Sequence, residues 1–432
     1  MVSQFYIDGI RCSTVIAQNC PNRQGPLMSS SNVRQARLIL KIYERRPYPV
    51  PHEGAIKAAP WRLPPTEWIS AVCPNCRFGR TGSPRRILVA GCGTGAEAFA
   101  LRERFHEAHI TALDFSPRSI AIARDLQRRF SNAKRIRFEI ADLSNRSVVN
   151  EIGAAFDFVS CHGVLSYIPR PAIVVANLAR CMADDGALYV GVNGPQHFSV
   201  ALRKVLPAFG VDLKKLNDNV QLRQLLRLCD LIGRERLSVH CAKFPAGRLA
   251  GDLFGPVLHS LSLSRWLRVF HRTGLHFQAS FHAQDELRRV LQKDVSRLLV
   301  PKSRAQACEI VEALRPASFH RLAFTRSRAI NPPWKNEKQL IEWRAVKTAL
   351  YRFRLPPKSS KSPHALQDVV LTSEPIRTRL EGRMPNWGIE ILRQANGRFR
   401  LADIVSHTVL PFALLRDQLY RLYQLNVINI IR

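Results

Sequence analysis

Short apolar runs alternate with amphipathic stretches from residue 84 onward. Five runs rich in branched or aromatic residues are typical of buried strands: RILVA at 86–90, HITALDF at 109–115, RIRFEIAD at 135–142, FDFVSCHG at 156–163 and ALYVGVNG at 187–194. Stretches with helical spacing lie between them, over 96–106, 116–130 and 171–182. Because this alternation is typical of a mostly parallel sheet covered on both faces, we expect a doubly wound, Rossmann-like α/β domain over residues 84–195.

The chain on either side of this segment follows other patterns. Residues 1–83 predict a loose arm, a helix over NVRQARLILKIYERR and a Pro-rich connector. Mostly helical patterns at 196–354 predict a helical cap with a substrate-binding or regulatory role. The stretch LPPKSSKSPH at 355–364 is typical of a linker, and three helical patterns followed by LNVINIIR predict a small winged-helix-like module at 365–432.

A glycine-rich turn joins the first predicted strand to the first helix. In AGCGTGAEAF, Gly91, Gly93 and Gly95 allow a tight turn and let a ligand approach the backbone, because glycine has no Cβ. Asp114 ends the next strand, about twenty residues later, where a carboxylate can accept hydrogen bonds from both ribose hydroxyls. The alternative for Asp114 is a simple capping role before Ser116, the predicted N-cap of the second helix.

Asp142, at the end of the third strand, separates two classes of cofactor. A carboxylate at this place can accept a hydrogen bond from the exocyclic amine of adenine, while the backbone N–H of the neighbouring Leu143 can meet a ring nitrogen. A surface aspartate in a turn is the alternative. An NAD-dependent oxidoreductase is disfavoured, because Phe99 and its neighbours occupy the place where a third, helix-packing glycine is usual.

The segment from Arg86 to Gly194 resembles the class I S-adenosylmethionine-dependent methyltransferases. The matching motifs are VAGCGTG, ALDFSPRSIAIAR, EIADLSN, FDFVSCHGVLSYIPRP and DDGALYVGVNG. The resemblance implies S-adenosylmethionine as the cofactor, with its methionine part on the glycine loop, its ribose on Asp114 and its adenine on Asp142. The loop from Cys161 to Val164 would lie beside the methyl group. The residues implied in cofactor binding are Gly91, Cys92, Gly93, Gly95, Asp114, Phe115, Asp142, Leu143, Cys161 and Gly163.

A looser resemblance extends outward from this core. The YERRPYPVP element, the helical block and the C-terminal module are similar to a bacterial subgroup that joins the core to a methyltransferase regulatory domain, and some of its members modify protein lysines. This chain departs from the subgroup in two places. Ala96-Glu97 stands where Gln-His is frequent. Leu165-Ser166-Tyr167 stands where Leu-His-His is frequent, and we expect this second change to remove polar groups from the rim of the active site.

Methyl transfer leaves few fixed catalytic residues in a sequence. The sulfonium makes the methyl group electrophilic, so the enzyme mainly aligns a nucleophile with it, and a base is needed only for a nucleophile that arrives protonated. The candidates near the reacting end are His162, Tyr167, Tyr48 and Asn193. We expect His162 to pack against the cofactor rather than act as a base. Tyr48 either closes over the cofactor or packs against the adjacent prolines.

The charge of the chain suggests a different acceptor. The net charge is +32, from 65 lysines and arginines against 33 aspartates and glutamates, which makes a nucleic-acid (RNA) methyltransferase an alternative. Several observations weaken it. Basic residues are spread along the whole chain, and carboxylates interleave with the arginines of the C-terminal module. Base-directed enzymes often carry Asn/Asp-Pro-Pro-aromatic after strand four, where this chain has His162–Leu165. The string Asn331–Trp334 lies far downstream and predicts a turn before a helix.

Cysteine and hydropathy patterns bear on metal binding and on membrane association. Cys73 and Cys76 form a lone CPNC without a second ligand pair nearby, so we expect no metal. No run is long enough to span a bilayer and the first residues lack a secretory pattern, so we expect a cytoplasmic protein with no membrane partner.

The favoured function is methylation of a protein or small molecule. A non-catalytic binding or regulatory protein with the cofactor fold is a further alternative, suggested by the departures at Ala96 and Ser166-Tyr167.

Overall fold

A seven-stranded sheet forms the centre of the molecule in the computed structural model, which describes residues 30–49, 65–129, 135–210, 227, 246–253, 255–291, 303–357, 362–373, 378–406 and 410–432. Its strands are β1 (Arg86–Ala90), β2 (His109–Asp114), β3 (Ile136–Ile140), β4 (Phe156–His162), β5 (Met182–Asn193), β6 (His276–Ser280) and β7 (Phe319–Thr325). The order is β3-β2-β1-β4-β5-β7-β6. The first five strands run parallel and β7 is antiparallel to both of its neighbours, which confirms a doubly wound, mostly parallel sheet.

Helices precede, connect and follow the strands of this sheet. They are α1 (Ser30–Arg45), α2 (Thr66–Val72), α3 (Arg77–Thr81), α4 (Ala96–Arg104), α5 (Pro117–Arg129), α6 (Val148–Ile152), α7 (Pro171–Cys181), α8 (Phe198–Val205), α9 (Ala246–Asp252), α10 (Leu263–Phe270), α11 (Phe281–Leu291), α12 (Arg304–Leu314) and α13 (Glu337–Leu340). The predicted cap of α5 is confirmed, because the Ser116 hydroxyl oxygen accepts from the Ser119 N–H at 3.1 Å.

The central sheet does not end near residue 195, as the apolar pattern had suggested. β6 and β7 lie within the region predicted to be helical, so that prediction is wrong for these two strands. Their sequences, HFQAS and FHRLAFT, mix polar and apolar residues and follow helical patterns, which concealed them. The helical pattern at 219–233 lies outside the described residues except for residue 227.

The C-terminal part contains more strand than the sequence predicted. The three expected helices are present as α14 (Asn386–Gln394), α15 (Leu401–Val405) and α16 (Phe412–Gln424). The additional strands are β8 (Arg344–Lys347), β9 (Arg352–Arg354), β10 (Leu366–Ser373), β11 (Thr378–Pro385), β12 (Asn396–Arg400) and β13 (Ile428–Ile431), in two sheets ordered β11-β10-β9 and β12-β8-β13. Because β8 pairs with both β12 and β13, the module begins before residue 365, and the expected linker at 355–364 connects two paired strands.

Buried hydrogen bonds attach the C-terminal module to the core. The Gln284 side chain on α11 accepts from the indole N–H of Trp68 and from Asn426 Nδ2, the latter at 2.8 Å. Asn429 Nδ2 donates to the Ala71 carbonyl at 2.9 Å. The buried guanidinium of Arg304 lies 4.1 Å from the centre of the Tyr423 ring. The Gln284 and Asn429 side chains thus find partners across the contact between the two parts, which favours one fixed arrangement.

Candidate active site

A cavity of about 750 Å³ opens at the carboxyl-terminal edge of the parallel strands, a volume typical of cofactor and substrate sites. Many of the residues singled out from the sequence line it. From the expected cofactor set these are Gly91, Cys92, Gly93, Asp114, Phe115, Asp142, Leu143 and Gly163, and from the catalytic candidates Tyr48, His162, Tyr167 and Asn193.

Two expected cofactor residues lie behind the cavity wall. Gly95 is the N-cap of α4, and an added Cβ would lie 2.9 Å from Phe99 and 3.1 Å from Phe138. Cys161 is fully buried in β4, and burial raises the pKa of its thiol. Neither residue belongs to the cavity lining, so their direct contact with a cofactor stays a prediction.

The glycine turn is compressed between two other segments of the chain. Gly91 has φ +76° and Gly93 has φ +53°. A Cβ at residue 91 would lie 2.3 Å from the Val164 side chain, and a Cβ at residue 93 would lie 2.2 Å from the carbonyl oxygen of Tyr48. Glycine is therefore required at residue 93 by the close approach of the Tyr48 backbone, whereas at residue 91 it makes room for the Val164 side chain.

Asp114 both braces the turn and faces the cavity. Its Oδ2 accepts from the Gly93 N–H at 2.9 Å and its Oδ1 from the Ser116 N–H at 3.0 Å. Burial raises the pKa of this carboxyl, while these backbone hydrogen bonds act in the opposite direction. The capping alternative is thus present in part, yet a carboxylate has about four acceptor sites, which leaves capacity for a ligand hydroxyl.

Asp142 occupies the exposed rim of the cavity. Its Oδ1 accepts from the Ser144 N–H at 2.8 Å and from the Ser144 hydroxyl at 2.7 Å, so the turn predicted as the alternative is formed. Leu143 beside it is buried. Both residues line the same cavity as Asp114, at the ends of neighbouring strands β2 and β3.

Helix α1 and the segment after it form one wall of the cavity. Glu44 Oε1 accepts from the Ser116 hydroxyl at 2.6 Å and from the Arg118 N–H at 3.1 Å, which fixes α1 to the start of α5. The Pro49 carbonyl accepts from Thr94 Oγ1 at 2.6 Å. These contacts bring Tyr43 and Tyr48 to the cavity wall. Tyr43 was not singled out from the sequence, because its helical position resembles an ordinary core position.

His162 is held as a neutral ring at the end of β4. Its Nδ1 lies 2.9 Å from the Tyr189 hydroxyl. Burial, reinforced by the positive charge of Arg321, lowers the pKa of His162 to about 3. The ring lies over Gly191, where a Cβ would be 2.6 Å from Nδ1. This packing and the low pKa agree with the expectation that His162 is not a general base.

A hydrogen-bonded group occupies the far end of the cavity. Asn193 Nδ2 donates to the Tyr167 hydroxyl oxygen at 3.0 Å, and that hydroxyl is also hydrogen-bonded to Asp252. Arg248 Nε lies 3.4 Å from Asp252 Oδ2. Burial raises the pKa of both Tyr167 and Asp252. Ser166 Oγ accepts from the Asn193 N–H at 2.8 Å, so both polar side chains of Leu-Ser-Tyr belong to this hydrogen-bonded group, and the expected loss of polar groups relative to the subgroup stays a prediction.

Several cavity residues come from parts of the chain to which the sequence assigned no chemistry. They are Gln196, His197, Phe198, Arg248, Asp252, His282, Phe319 and Arg321. The short helix α9 carries Arg248 and Asp252, and the strand β7 carries Arg321. Their sequences, AGRLAGD and FHRLAFT, contain no motif, and only the folded chain brings them to the glycine turn.

The features that suggested nucleic acid or metal lie elsewhere. Trp334 of the Asn-Pro-Pro-Trp string is buried against Tyr420 and Tyr423 in a turn before α13, as predicted, and does not line the cavity.

Cys73 and Cys76 are buried, and Cys76 Sγ accepts from the Gly79 N–H. Among the described residues no group of three or more metal-ligating side chains comes together. Within the same residues, no helix combines the length and apolar character needed to cross a bilayer.

Carboxylates pair with the arginines of the C-terminal module. Arg400 lies 2.9 Å from carboxylate oxygens of both Asp403 and Glu342. Two further pairs are Arg393 with Glu390 at 3.2 Å and Arg416 with Asp417 at 2.9 Å. Pairs of this kind reduce the positive charge that the module presents to a polyanion.

Comparisons with known proteins agree with this geometry. The methyltransferase-domain family model matches residues 88–188. A malonyl-[acyl-carrier protein] O-methyltransferase from Laribacter hongkongensis is 32% identical over 138 residues, which cover 30% of this chain and 43% of that protein. A ubiquinone biosynthesis O-methyltransferase from Xylella fastidiosa is 31% identical over 108 residues, covering 25% and 42%. The chain thus spans less than half the length of these curated relatives.

A similarity in fold reaches further along the chain. The structure of PKMT2 from Rickettsia typhi in complex with AdoHcy superimposes with a TM-score of 0.50 at 13% identity, covering 86% of this chain and 76% of that one. At this identity the comparison concerns the fold alone. Together with the sheet order, the glycine turn and the family match, it identifies residues 88–188 as a class I S-adenosylmethionine-dependent methyltransferase domain.

Proposed function

We propose that the chain transfers a methyl group from S-adenosylmethionine to a protein or small-molecule acceptor bound at the far end of the same cavity. The observation that carries the proposal is the continuity of this cavity. It extends from Asp114 and Asp142 past the glycine turn to Tyr167 and Asn193. One end offers groups suited to a nucleoside, and the other offers a separate polar group suited to a second ligand.

The cofactor end needs few contacts to hold an adenosine. Asp114 would accept hydrogen bonds from the ribose hydroxyls, and Asp142 with the backbone of Leu143 would contact the edge of the adenine. Gly91 and Gly93 leave room for the methionine part. When bound, S-adenosylmethionine supplies a methyl group activated by its sulfonium. The chain orients that group and, through Tyr48 and α1, excludes water from it.

The acceptor end positions a nucleophile and receives its proton. Tyr167 and Asn193 orient the acceptor through the hydroxyl that they share. For a nucleophile that arrives protonated, the proton passes to the Tyr167 oxygen while the Tyr167 proton passes to the Asp252 carboxylate. Burial raises the pKa of Asp252, while its hydrogen bond to Tyr167 and the positive charges of Arg248 and Arg203 act in the opposite direction.

Protein and small-molecule acceptors are favoured over nucleic acid. The ion-paired arginines of the C-terminal module offer little charge to phosphates. The curated relatives are O-methyltransferases with small or carrier-bound acceptors by name. For the region after residue 195 we propose the regulatory or substrate-binding role that the resemblance of the sequence to the subgroup implies.

Label transfer tests this proposal. The full chain is incubated with methyl-labelled S-adenosylmethionine and with cell extract separated into protein, small-molecule and RNA fractions. We expect label in the protein or small-molecule fraction with the natural chain and none with Asp114→Ala. Asp125→Ala, which changes an exposed aspartate on α5, is the matched control and should keep activity. Label in RNA alone would overturn the choice of acceptor, and label in no fraction would overturn the proposed activity.

A further inference from the structure

Arg321 places a positive charge on the side of the cavity that lies away from the glycine turn. Its strand, β7, is separated from β1 by β4 and β5. At about 4.8 Å between neighbouring strands, this separation is about 14 Å. The stacked rings of His162 and Tyr189, which belong to β4 and β5, lie between Arg321 and the turn. The charge is therefore placed for a second ligand rather than for a cofactor on the glycine turn.

No carboxylate neutralises this charge in the part of the chain that the structure describes. Arg248, on the same cavity wall, lies 3.4 Å from Asp252, whereas Arg321 has no carboxylate oxygen within 4 Å. Burial lowers the pKa of His162, and the charge of Arg321 lowers it further. Because Arg321 is half-buried, its electrostatic interaction with an anion is stronger than that of a fully hydrated arginine.

The guanidinium of Arg321 is held in place by an aromatic ring. It lies 5.5 Å from the centre of the Phe281 ring, within the range of a cation–π contact. Phe281 packs edge to face against the buried Trp68, with ring centres 5.4 Å apart. β7 is itself paired on both sides, with β5 and β6. A cation held by such rigid elements loses little conformational freedom when it binds a ligand.

The strand register relates Arg321 to the polar group at the acceptor end. Asn193 of β5 pairs with Phe319 of β7, and Gly191 pairs with Arg321. Directly paired residues, and residues two apart on one strand, project from the same face of a sheet. Asn193, Phe319 and Arg321 therefore face the same side. Two residues span about 6.8 Å along a strand, a length that a small organic molecule covers.

We propose that the acceptor is a small molecule that carries a carboxylate, with Arg321 binding this carboxylate and Tyr167 and Asn193 holding the atom that receives the methyl group. The inference rests on the proposed function and names the substrate class of the same site. One guanidinium matches a carboxylate in charge, and its parallel N–H donors match the two oxygens. The carboxylate serves recognition and is unchanged by the reaction. Both ends lie in one cavity, which a small molecule can enter whole.

Arg170 is the other cavity arginine that has no carboxylate within 4 Å among the described residues. It lies at the start of α7, in the segment that follows Tyr167, and not on a strand of the sheet. No aromatic ring of the described chain holds its guanidinium as Phe281 holds that of Arg321. Arg170 therefore adds positive potential to the cavity without a fixed binding geometry, which makes it a useful comparison.

Label transfer into small-molecule extract tests the proposal. The full chain and Arg321→Gln are incubated with methyl-labelled S-adenosylmethionine and the extract, and the products are passed over an anion exchanger at neutral pH. We expect the labelled product to be retained, before and after phosphatase treatment. For Arg321→Gln we expect the KM for this acceptor to rise about tenfold or more and kcat to change less than about threefold, since a charged contact shared by substrate and transition state is lost. Arg321→Lys should give an intermediate KM.

Three further measurements serve as controls. Arg321→Gln and Arg321→Lys should bind S-adenosylhomocysteine within about twofold of the natural chain, because distant sites act independently. Arg265→Gln, at an exposed position on α10, should leave KM unchanged. Arg170→Gln should raise KM less than about threefold, since solvent screens a charge that makes no direct contact.

Several outcomes would overturn the proposal. They are a labelled product that the exchanger does not retain, retention that phosphatase removes, and label in protein alone. An unchanged KM in Arg321→Gln, or an equal rise in Arg170→Gln, would also overturn it. A loss of S-adenosylhomocysteine binding as large as the rise in KM would assign Arg321 to the cofactor instead. Label in no fraction at all would overturn the proposed function.

Discussion

Gly93 lies against the carbonyl oxygen of Tyr48, where an added Cβ would be 2.2 Å from that oxygen. The segment after α1 therefore belongs to the wall of the cofactor cavity, although it precedes the glycine motif by more than forty residues in the sequence. Thr94 strengthens the contact through its hydrogen bond to Pro49. Cofactor binding and the position of the N-terminal helix are thus expected to depend on each other.

Gly93→Ala tests this contact. Both Gly93 and Gly82 have positive φ, at +53° and +67°, but an added Cβ at Gly82 meets nothing within 4 Å. We expect Gly82→Ala to lose about 1–2 kcal/mol of unfolding free energy from backbone strain, and Gly93→Ala to lose more, because its Cβ also forces the Tyr48 segment to move. Only Gly93→Ala should also bind S-adenosylhomocysteine more weakly, by about tenfold or more, in a calorimetric titration. Equal affinities in the two variants would contradict the role assigned to the Tyr48 segment.

Glu44→Ala should loosen α1 from the core. The variant removes the carboxylate that accepts from Ser116 Oγ and from the Arg118 N–H, and the loss of such a capping contact typically costs about 1 kcal/mol. We expect a lower melting temperature and weaker cofactor binding, since Tyr43 lies on α1 and Tyr48 directly after it, and both line the cavity. Arg45→Ala, at an exposed neighbouring position, is the control and should change neither quantity. A melting temperature equal to that of the control would be evidence against this attachment.

Glu97 gives the unfolding free energy a defined dependence on pH. Its pKa is higher in the folded state than its ordinary value of 4.5, so the folded state binds this proton more tightly. The contribution of Glu97 to stability is therefore present below about 4.5 and is lost as pH rises through about 7. Urea unfolding across this range should show a shallower decline for Glu97→Gln than for the natural chain. Parallel curves would contradict the raised pKa.

Tyr167→Phe and Asp252→Asn should slow methyl transfer without weakening cofactor binding. Removal of a group that transfers a proton typically reduces kcat by about 10² to 10⁴-fold. We expect affinities for S-adenosylhomocysteine within about twofold of the natural chain, because both side chains lie at the acceptor end. Asp184→Asn, at a fully exposed position, provides the control. Unchanged kcat in both variants would remove them from the reaction.

The amino-acid sequence predicted the five parallel strands because each is a short run rich in branched or aromatic residues, and it predicted that Asp114 would end β2. It did not distinguish Gly95, which packs on Phe99 and Phe138, from Gly91 and Gly93, which line the cavity. All three have the same spacing, and only the direction of each backbone segment separates them. Motif spacing therefore predicts that a turn exists, but not which of its glycines a ligand meets.

The missed residues have a common physical cause. Arg321 lies on β7, an antiparallel strand whose polar residues conceal its period, and Asp252 ends the short helix α9. Both come to the cavity only through long-range pairing and packing, such as the register of Gly191 with Arg321. Local pattern carries no information on such contacts, so the acceptor end could not be predicted.

Calorimetric titration of the full chain with S-adenosylhomocysteine tests the central claim most directly. The natural chain and Asp125→Ala should bind with similar affinity, and Asp114→Ala should lose binding because its carboxylate braces Gly93 and faces the ribose position. Absence of binding by the natural chain would contradict the account, as would binding by Asp114→Ala at the natural affinity.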